Sequence, residues 1–336
     1  MSRPRPTVRR PRLLAAGALG AVLVLGGCSS QGGAAAEEEA PGAAATSCEE
    51  PTGTIAVVSH GKQGDTFWDI VKKGAEAAGA AQCVEVTYQG SGDPNEQSQA
   101  IDSAVAQEVD GLVVSMANPD GVRDAVEAAV GAGIPVITIN SGEAQSAEFG
   151  ALAHVGQSER TAGEGAGSQL ADAGVTNLLC VIHEAGNVGL EDRCAGAAET
   201  LGGTATNLQV NVSNLAEAEA TITSTLQADP SIDGVLTLNN GVGTAAVTAV
   251  ESAGSEAQVA TFDVDADVIS AVQDGSLLFA VDQQPYLQGY LPVVALNLYT
   301  TNGNTIGGGA PILTGPGFVT QDNADAVAEY AAAGTR

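Results

Sequence analysis

The strongest constraint on this chain is an alternation. From Thr54 onward, short β-branched runs and stretches of helical spacing follow one another in two series of roughly five βα units each. Strands are expected at 55–58, 84–88, 111–115, 135–139 and 151–154, then at 177–183, 206–211, 234–238, 258–262 and 279–281. Helices are expected between them, at 68–80, 95–107, 121–132, 158–173, 191–201, 215–228, 242–252, 266–274 and 286–301, before a Gly/Pro-rich finish at 307–317. Such alternation predicts an α/β fold with parallel sheets and right-handed crossovers. Its length exceeds what one hydrophobic core usually holds, so two similar lobes are expected. The 43 glycines and 3% aromatic residues suit many tight βα turns better than a β-sandwich. No short fixed period recurs, which sets aside solenoids and propellers.

The first 27 residues read as an export signal. Arg3, Arg5, Arg9, Arg10 and Arg12 precede an apolar run at 13–25 that is too short for a stable membrane span. Leu25-Gly26-Gly27-Cys28 then matches the bacterial lipobox, which predicts cleavage before Cys28 and lipid on its thiol. Residues 28–50 are Gly/Ala/Glu-rich without apolar periodicity, as expected of a flexible tether. Of 12 Lys+Arg, the five named arginines leave with the signal; the remaining seven face 40 Asp+Glu, a net charge near −33. So acidic a surface repels phosphate backbones and excludes nucleic acid as a natural partner.

Four cysteines remain, an even number suited to an oxidising compartment. Three pairings are possible. Cys48–Cys83 is favoured because each lies just before an expected strand and neighbouring parallel strands start side by side. Cys180 and Cys194 then pair between a strand and the helix that packs back on it. CxxC spacing is absent, so no zinc site is expected.

Catalytic motifs find little footing. There is no GxSxG elbow, His183-Glu184 lacks the second His of HExxH, and no GxxxxGK[ST] cradle occurs. Gly241-Val242-Gly243-Thr244-Ala245-Ala246 fits the loose dinucleotide fingerprint but lies in the second half, where close approach of a ligand to the backbone is the simpler reason for its glycines. Asp263-Val264-Asp265-Ala266-Asp267 lacks the Gly and distal Glu of a calcium loop, and capping of the next helix accounts for it. No cofactor and no enzymatic activity are expected.

The strand tips share a different chemistry. After the first strand come His60, Lys62 and Asp65, then Phe67 and Trp68, the one tryptophan, where a helix begins; later tips carry Asn118, then Asn140 and Ser141. The second series offers Glu191 and Arg193, Asn239 and Asn240, Asp263 and Gln283. Open α/β sheets bind ligands beyond the carboxyl ends of their strands, although Asn and Asp also gather there simply to cap helices.

Taken together, the lipobox, TIAVVSHGKQGDTFWDIVKKGAE, DGLVVSMANPDGV, GIPVITINS, DGVLTLNNGVG, ATFDVD and FAVDQQPYLQGY resemble the ribose-binding-protein-like (type 1 periplasmic binding protein) solute-binding proteins of ABC sugar importers. The resemblance runs from about Thr54 to the C terminus. It implies two Rossmann-like lobes, 51–154 with 284–312 and 155–283 with 313–336, joined by three crossing segments near 154–156, 283–285 and 311–315. It implies a sugar in the cleft, with Asp65, Asn118, Asn140, Asn239, Asp263 and Gln283 as polar contacts and Phe67 and Trp68 as stacking aromatics. Amides and carboxylates satisfy vicinal hydroxyls, while an aromatic face covers the C–H side of a ring. Ser141 stands where the family often has Arg, Glu191 aligns with another family Arg while Arg193 lies two residues on, and Leu215 replaces a second-lobe aromatic. These departures favour a sugar alcohol or another monosaccharide over an aldopentose. The implied protein is a monomeric, extracytoplasmic lipoprotein that delivers its ligand to a membrane permease; the alternative is a sensor presenting occupancy to a membrane kinase.

Overall fold

A computed structural model describes Cys48 and residues 50–62 and 64–336, all within one compact unit. Cys28, the expected signal and nearly all of the expected tether lie outside the described residues.

Two six-stranded sheets form. The first is built from β1 (Thr54–Ser59), β2 (Glu85–Gly90), β3 (Gly111–Ser115), β4 (Val136–Ile139), β5 (Ala153–Gln157) and, from the tail, β11 (Ile312–Gly315), in the order β11-β5-β4-β3-β1-β2. The second contains β6 (Asn177–Ile182), β7 (Thr204–Gln209), β8 (Gly234–Thr237), β9 (Gln258–Phe262), β10 (Ala280–Asp282) and β12 (Gly317–Val319), in the order β12-β10-β9-β8-β6-β7. Every neighbouring pair is parallel except β10–β12. The Gly/Pro-rich finish thus supplies an edge strand to each sheet. Two segments of four and three residues, separated by Pro316, carry too little periodicity to be read as strands from sequence.

Helices alternate with the strands: α1 (Thr66–Gln82), α2 (Pro94–Ala106), α3 (Pro119–Gly131) and the short α4 (Glu143–Ser146) in the first lobe; α5 (Glu159–Asp172), α6 (Val188–Leu201), α7 (Leu215–Ala228), α8 (Asn240–Ala253), α9 (Ala266–Asp274) and α11 (Ala324–Ala332) in the second. Helix α10 (Pro285–Asn302) returns to pack on α1 and β3. The chain therefore passes between lobes after β5, after β10 and between β11 and β12. Central strands β3 and β4 are buried on both faces, as a helix-covered parallel sheet requires. Small residues allow the helix pairs nearest the cleft to approach closely. A Cβ on Gly289 would strike the Val71 carbonyl, and one on Gly196 the Arg160 carbonyl.

The lobes repeat one another. Thr54 and Asn177, His60 and His183, Asp110 and Asp233, and Asn140 and Asp263 are pairs with the same sequence spacing, each occupying equivalent positions in the two sheets. Asp110 Oδ2 accepts from the Thr54 amide at 2.8 Å, and Asp233 Oδ1 from the Asn177 amide at 2.7 Å. The same carboxylate fixes the start of the leading strand in both lobes. Both expected disulfides form, with Cα–Cα distances of 5.5 Å for Cys48–Cys83 and 5.8 Å for Cys180–Cys194.

Candidate ligand-binding site

The carboxyl ends of both sheets face a cavity between the lobes. Its first-lobe wall is His60, Asp65, Phe67, Trp68 and Asn140; its second-lobe wall includes His183, Glu184, Asn187, Arg193, Asn239 and Asp263; Gln283, on the crossing after β10, closes the back. Helix capping accounts for part of this polarity, and the geometry separates the two roles. Asp65 Oδ1 accepts from the Phe67 amide at 3.1 Å, and Asn239 Oδ1 from the Gly241 amide at 3.0 Å. Each caps its helix with one atom and keeps its other polar atom for the cavity. Asn140 and Asp263 cap nothing. They sit just past β4 and β9 with φ of 59° and 68°, a left-handed backbone that turns each side chain out of its strand.

One buried chain of hydrogen bonds spans the cleft. Asn140 Nδ2 donates to Gln283 Oε1 at 3.0 Å, and Gln283 Nε2 donates to Asp263 Oδ1 at 2.6 Å. Further bonds join the lobes directly: Ser141 Oγ to Asn187 Oδ1 at 3.1 Å, Asn240 Nδ2 to Thr66 Oγ1 at 2.8 Å, and the Val188 amide to the Ala117 carbonyl at 3.0 Å. Lys62 reaches Glu184 at 3.6 Å across the mouth.

Arg193 is held in a fixed pose. Its Nε and Nη2 donate to the two carboxylate oxygens of Glu159 at 2.6 and 2.9 Å, Nη1 donates to the Leu238 carbonyl at 3.3 Å, and the guanidinium lies 4.6 Å from the Phe262 ring centre. Of five N–H donors, this leaves two for the cavity. Trp68 is clasped edge-on by His60 and Phe67, with ring centres 4.7 and 5.1 Å away. A side chain on Gly61 would collide with the indole, so that glycine makes room for it. Leu190 and Leu238 supply the apolar surface of the second lobe.

Burial governs the protonation of the wall. It pushes the Asp263 carboxyl up to about 7 against the pull of Arg193 and the Gln283 amide, and the Asp65 carboxyl up to about 6. The same desolvation lowers His60 and brings His183 down to about 4. Burial alone raises Glu184, but His60, His183, Asn187 and Lys62 together outweigh it and hold that carboxylate below its ordinary range.

Of the sequence-predicted residues, His60, Asp65, Phe67, Trp68, Asn140, Arg193, Asn239, Asp263 and Gln283 converge on the cavity. Asn118 instead caps α3, exposed, and lines an adjoining recess at the mouth with Lys62, Gln97 and Gly186. Ser141 and Asn240 are buried behind the wall in the inter-lobe bonds given above. Glu191 is exposed on a separate surface groove with Glu143 and Asp192, so between it and Arg193 only the arginine faces the cavity. Leu215 is 42% exposed at the start of α7, outside the cavity lining. Sequence reasoning missed His183, Glu184, Asn187, Leu190 and Leu238. The equal spacing of His60 and His183 was the available signal for the first of these.

The sequence matches a periplasmic binding protein domain over residues 55–304. Among characterised relatives, the xylose/arabinose-binding protein of Sulfolobus acidocaldarius is 25% identical over 297 residues, covering 82% of this chain and 73% of the relative. The ribose import binding protein of Bacillus subtilis is 28% identical over 241 residues, covering 68% of this chain and 76% of the relative. A carbohydrate transporter structure from Acidothermus cellulolyticus in complex with myo-inositol is 44% identical with a TM-score of 0.84, covering 85% of this chain and 100% of that one. A solute-binding protein from Agrobacterium vitis with bound D-fucose is 26% identical with a TM-score of 0.74, covering 83% of this chain and 100% of that one. The two-lobed fold, the cavity between the lobes and these matches place the chain in the periplasmic binding protein family, whose members bind substrates without transforming them.

Proposed function

We propose that this protein is the extracytoplasmic binding component of an ABC importer, taking a monosaccharide or cyclic sugar alcohol between its lobes. The observation that carries the reading is the composition of the cavity wall. Both lobes and the crossing segment contribute polar groups to one cleft, so a ligand bonded from both sides stabilises lobe closure over separation. Myo-inositol is the leading ligand, because the 44% identical relative holds it and because amides and carboxylates with an aromatic floor suit a ring bearing hydroxyls all round.

In this reading, Trp68 and Phe67 cover the C–H face, while Asp65, Asn140, Asn239, Asp263 and Gln283 take the hydroxyls and Arg193 offers its two remaining donors. The lobe built on the first sheet, which keeps all of β5 and β11, and the lobe built on the second act as the jaws, so the crossings lie a few residues beyond the expected 154–155 and 312–313 boundaries. Lipid on Cys28 and the tether at 28–50 hold the monomer at the outer face of the membrane, where the closed form docks on the permease.

The test is a thermal-shift screen of myo-inositol, D-ribose, D-xylose, L-arabinose and D-fucose. A ligand at 100 times its Kd adds about 2.7 kcal/mol of stability, enough for a shift of several degrees. A flat response to every ring polyol and sugar sinks the proposal. Mass spectrometry of the membrane-extracted protein and of Cys28→Ala tests the anchor, which is lost as an idea if both run at the same unlipidated mass.

A further inference from the structure

A knot of amides closes the back of the cavity. Asn140 and Gln283 face the ligand space, but the residue that fixes which of their atoms do so lies behind them. It is Gln288, near the start of α10, fully buried and outside the cavity lining. Gln288 Nε2 donates to the Gln283 main-chain carbonyl at 3.0 Å. A carbonyl only accepts, so nitrogen must occupy that end of Gln288 and oxygen the other. From this fixed point the directions run outward. Gln288 Nε2 also donates to Gln283 Oε1 at 3.0 Å, which leaves Gln283 Nε2 for Asp263 Oδ1 at 2.6 Å. Two oxygens then face Asn140, Gln283 Oε1 at 3.0 Å and Gln288 Oε1 at 3.2 Å, so its Nδ2 gives one hydrogen to each. Thr314 Oγ1, on β11, donates to the same Gln283 carbonyl at 2.7 Å and receives from Gln288 Nε2 at 3.2 Å, tying the knot to the strand that leads to the last crossing. Asp263 alone does not set this direction. Burial holds its carboxyl at about 7, and in the protonated form it gives a hydrogen as readily as it accepts one.

We infer that Gln288 is a positioning residue that sets the donor–acceptor polarity of the back wall, so that Asn140 shows the ligand only an acceptor and Gln283 only a donor. Both hydrogens of Asn140 Nδ2 are committed behind the wall. What Asn140 offers is Oδ1, which accepts from Ser141 Oγ at 3.1 Å and keeps a second lone pair. Gln283 Oε1 already receives two hydrogens, so what Gln283 offers is the second hydrogen of Nε2. The part of the ligand at this corner must therefore both give and take a hydrogen. A free ring hydroxyl does both, or two adjacent hydroxyls divide the task. An ether oxygen, a carbonyl or a fluorine only accepts, and leaves the open lone pair of Asn140 Oδ1 unpaired. Amides fixed in advance also spare the ligand the entropy of ordering them. This inference rests on the ring-polyol reading and deepens it: the ring carries an unsubstituted hydroxyl where it faces the hinge.

Two variants test it. Gln288→Met keeps the length and bulk of the side chain without its hydrogen bonds, and Gln288→Glu keeps the oxygen facing Asn140 but sets a second acceptor against the Gln283 carbonyl. In calorimetric titrations with myo-inositol, D-ribose and D-fucose, each variant is expected to lose at least about tenfold in affinity for whichever ring the parent binds. Loss of packing also weakens binding, so side-chain amide exchange, followed by NMR on isotope-labelled protein, gives a readout that packing does not move. In the parent, both Asn140 side-chain hydrogens should resist exchange with solvent whether or not ligand is present. The Gln283 pair, with one hydrogen open to the cavity, should gain protection only when ligand is added. In Gln288→Met the Asn140 pair should lose its protection. Where a variant fails to fold, the exchange pattern of the parent decides. Free exchange of the Asn140 pair in the parent, or unchanged affinity in folded Gln288→Met, overturns this inference alone. Failure of all three rings to bind the parent overturns it together with the function on which it rests.

Discussion

Asp263→Asn isolates the cost of holding a carboxyl in this cavity. The side chains are nearly isosteric, and the amide oxygen can still accept from Gln283 Nε2, now at 2.6 Å from Oδ1. What changes is titration. Burial raises Asp263 from 3.8 to about 7, so between those pH values the folded protein holds a proton that the unfolded chain has lost. Stability therefore falls as pH rises through this window. The full displacement corresponds to about 4 kcal/mol at 1.36 kcal/mol per pH unit. The amide of the variant does not titrate, so the stability of the variant relative to the parent should climb by as much as about 4 kcal/mol between pH 4 and pH 8. Opening of the cleft rehydrates the parent carboxyl and reduces this, making the figure a ceiling. His183 and His154, both lowered to about 4 by burial, oppose the trend by destabilising the fold as pH falls below 6.5, but they do so in both proteins and cancel in the difference. Urea unfolding of ligand-free parent and variant at pH 4.5, 6 and 8 measures it. A difference that stays within about 0.5 kcal/mol across that range refutes the claim that desolvation dominates this side chain.

Three other perturbations probe the same architecture. Trp68→Ala removes a ring that is 5% exposed and clasped by His60 and Phe67; it should cost about 3 kcal/mol of stability and at least tenfold in ligand affinity, and unchanged affinity by calorimetry would remove Trp68 from the site. Arg193→Lys cannot reproduce the two-pronged contact with Glu159 or the bond to the Leu238 carbonyl, and leaves a buried carboxylate poorly matched. A loss of about 3 kcal/mol in chemical unfolding is expected, and a loss below about 0.5 kcal/mol contradicts the rigid pairing. Replacing both Cys180 and Cys194 by Ala opens a loop with a sequence separation of 14 and should cost about 3 kcal/mol, read as a melting-temperature drop that reductant reproduces in the parent.

Much of the fold was legible because its signals are local. β-Branched runs such as Gly111–Ser115 and Gln258–Phe262, and the amphipathic Leu215–Ala228 and Ala266–Asp274, occupy the residues the periodicity assigned to them. Strands β11 and β12 were not legible. Each is fixed by hydrogen bonds to β5 or β10, far away in the chain, and not by its own composition. At the site, convergence of strand-tip Asn and Asp was readable in outline. Separating ligand-facing side chains from caps was not, because Asn118 and Asn239 both cap helices, yet only Asn239 ends in the cavity.

The alternation of strand and helix by itself determined a two-lobed α/β protein with polar strand tips, since hydrophobic period and turn chemistry are written residue by residue. Only tertiary structure decided that Arg193 and not Glu191 faces the cavity, and that Gln283 joins Asn140 to Asp263. Those outcomes depend on which helix face meets which strand tip across the cleft. A rotation of one residue on α6 moves a side chain by about 100°, and no local pattern records where the opposite lobe will be.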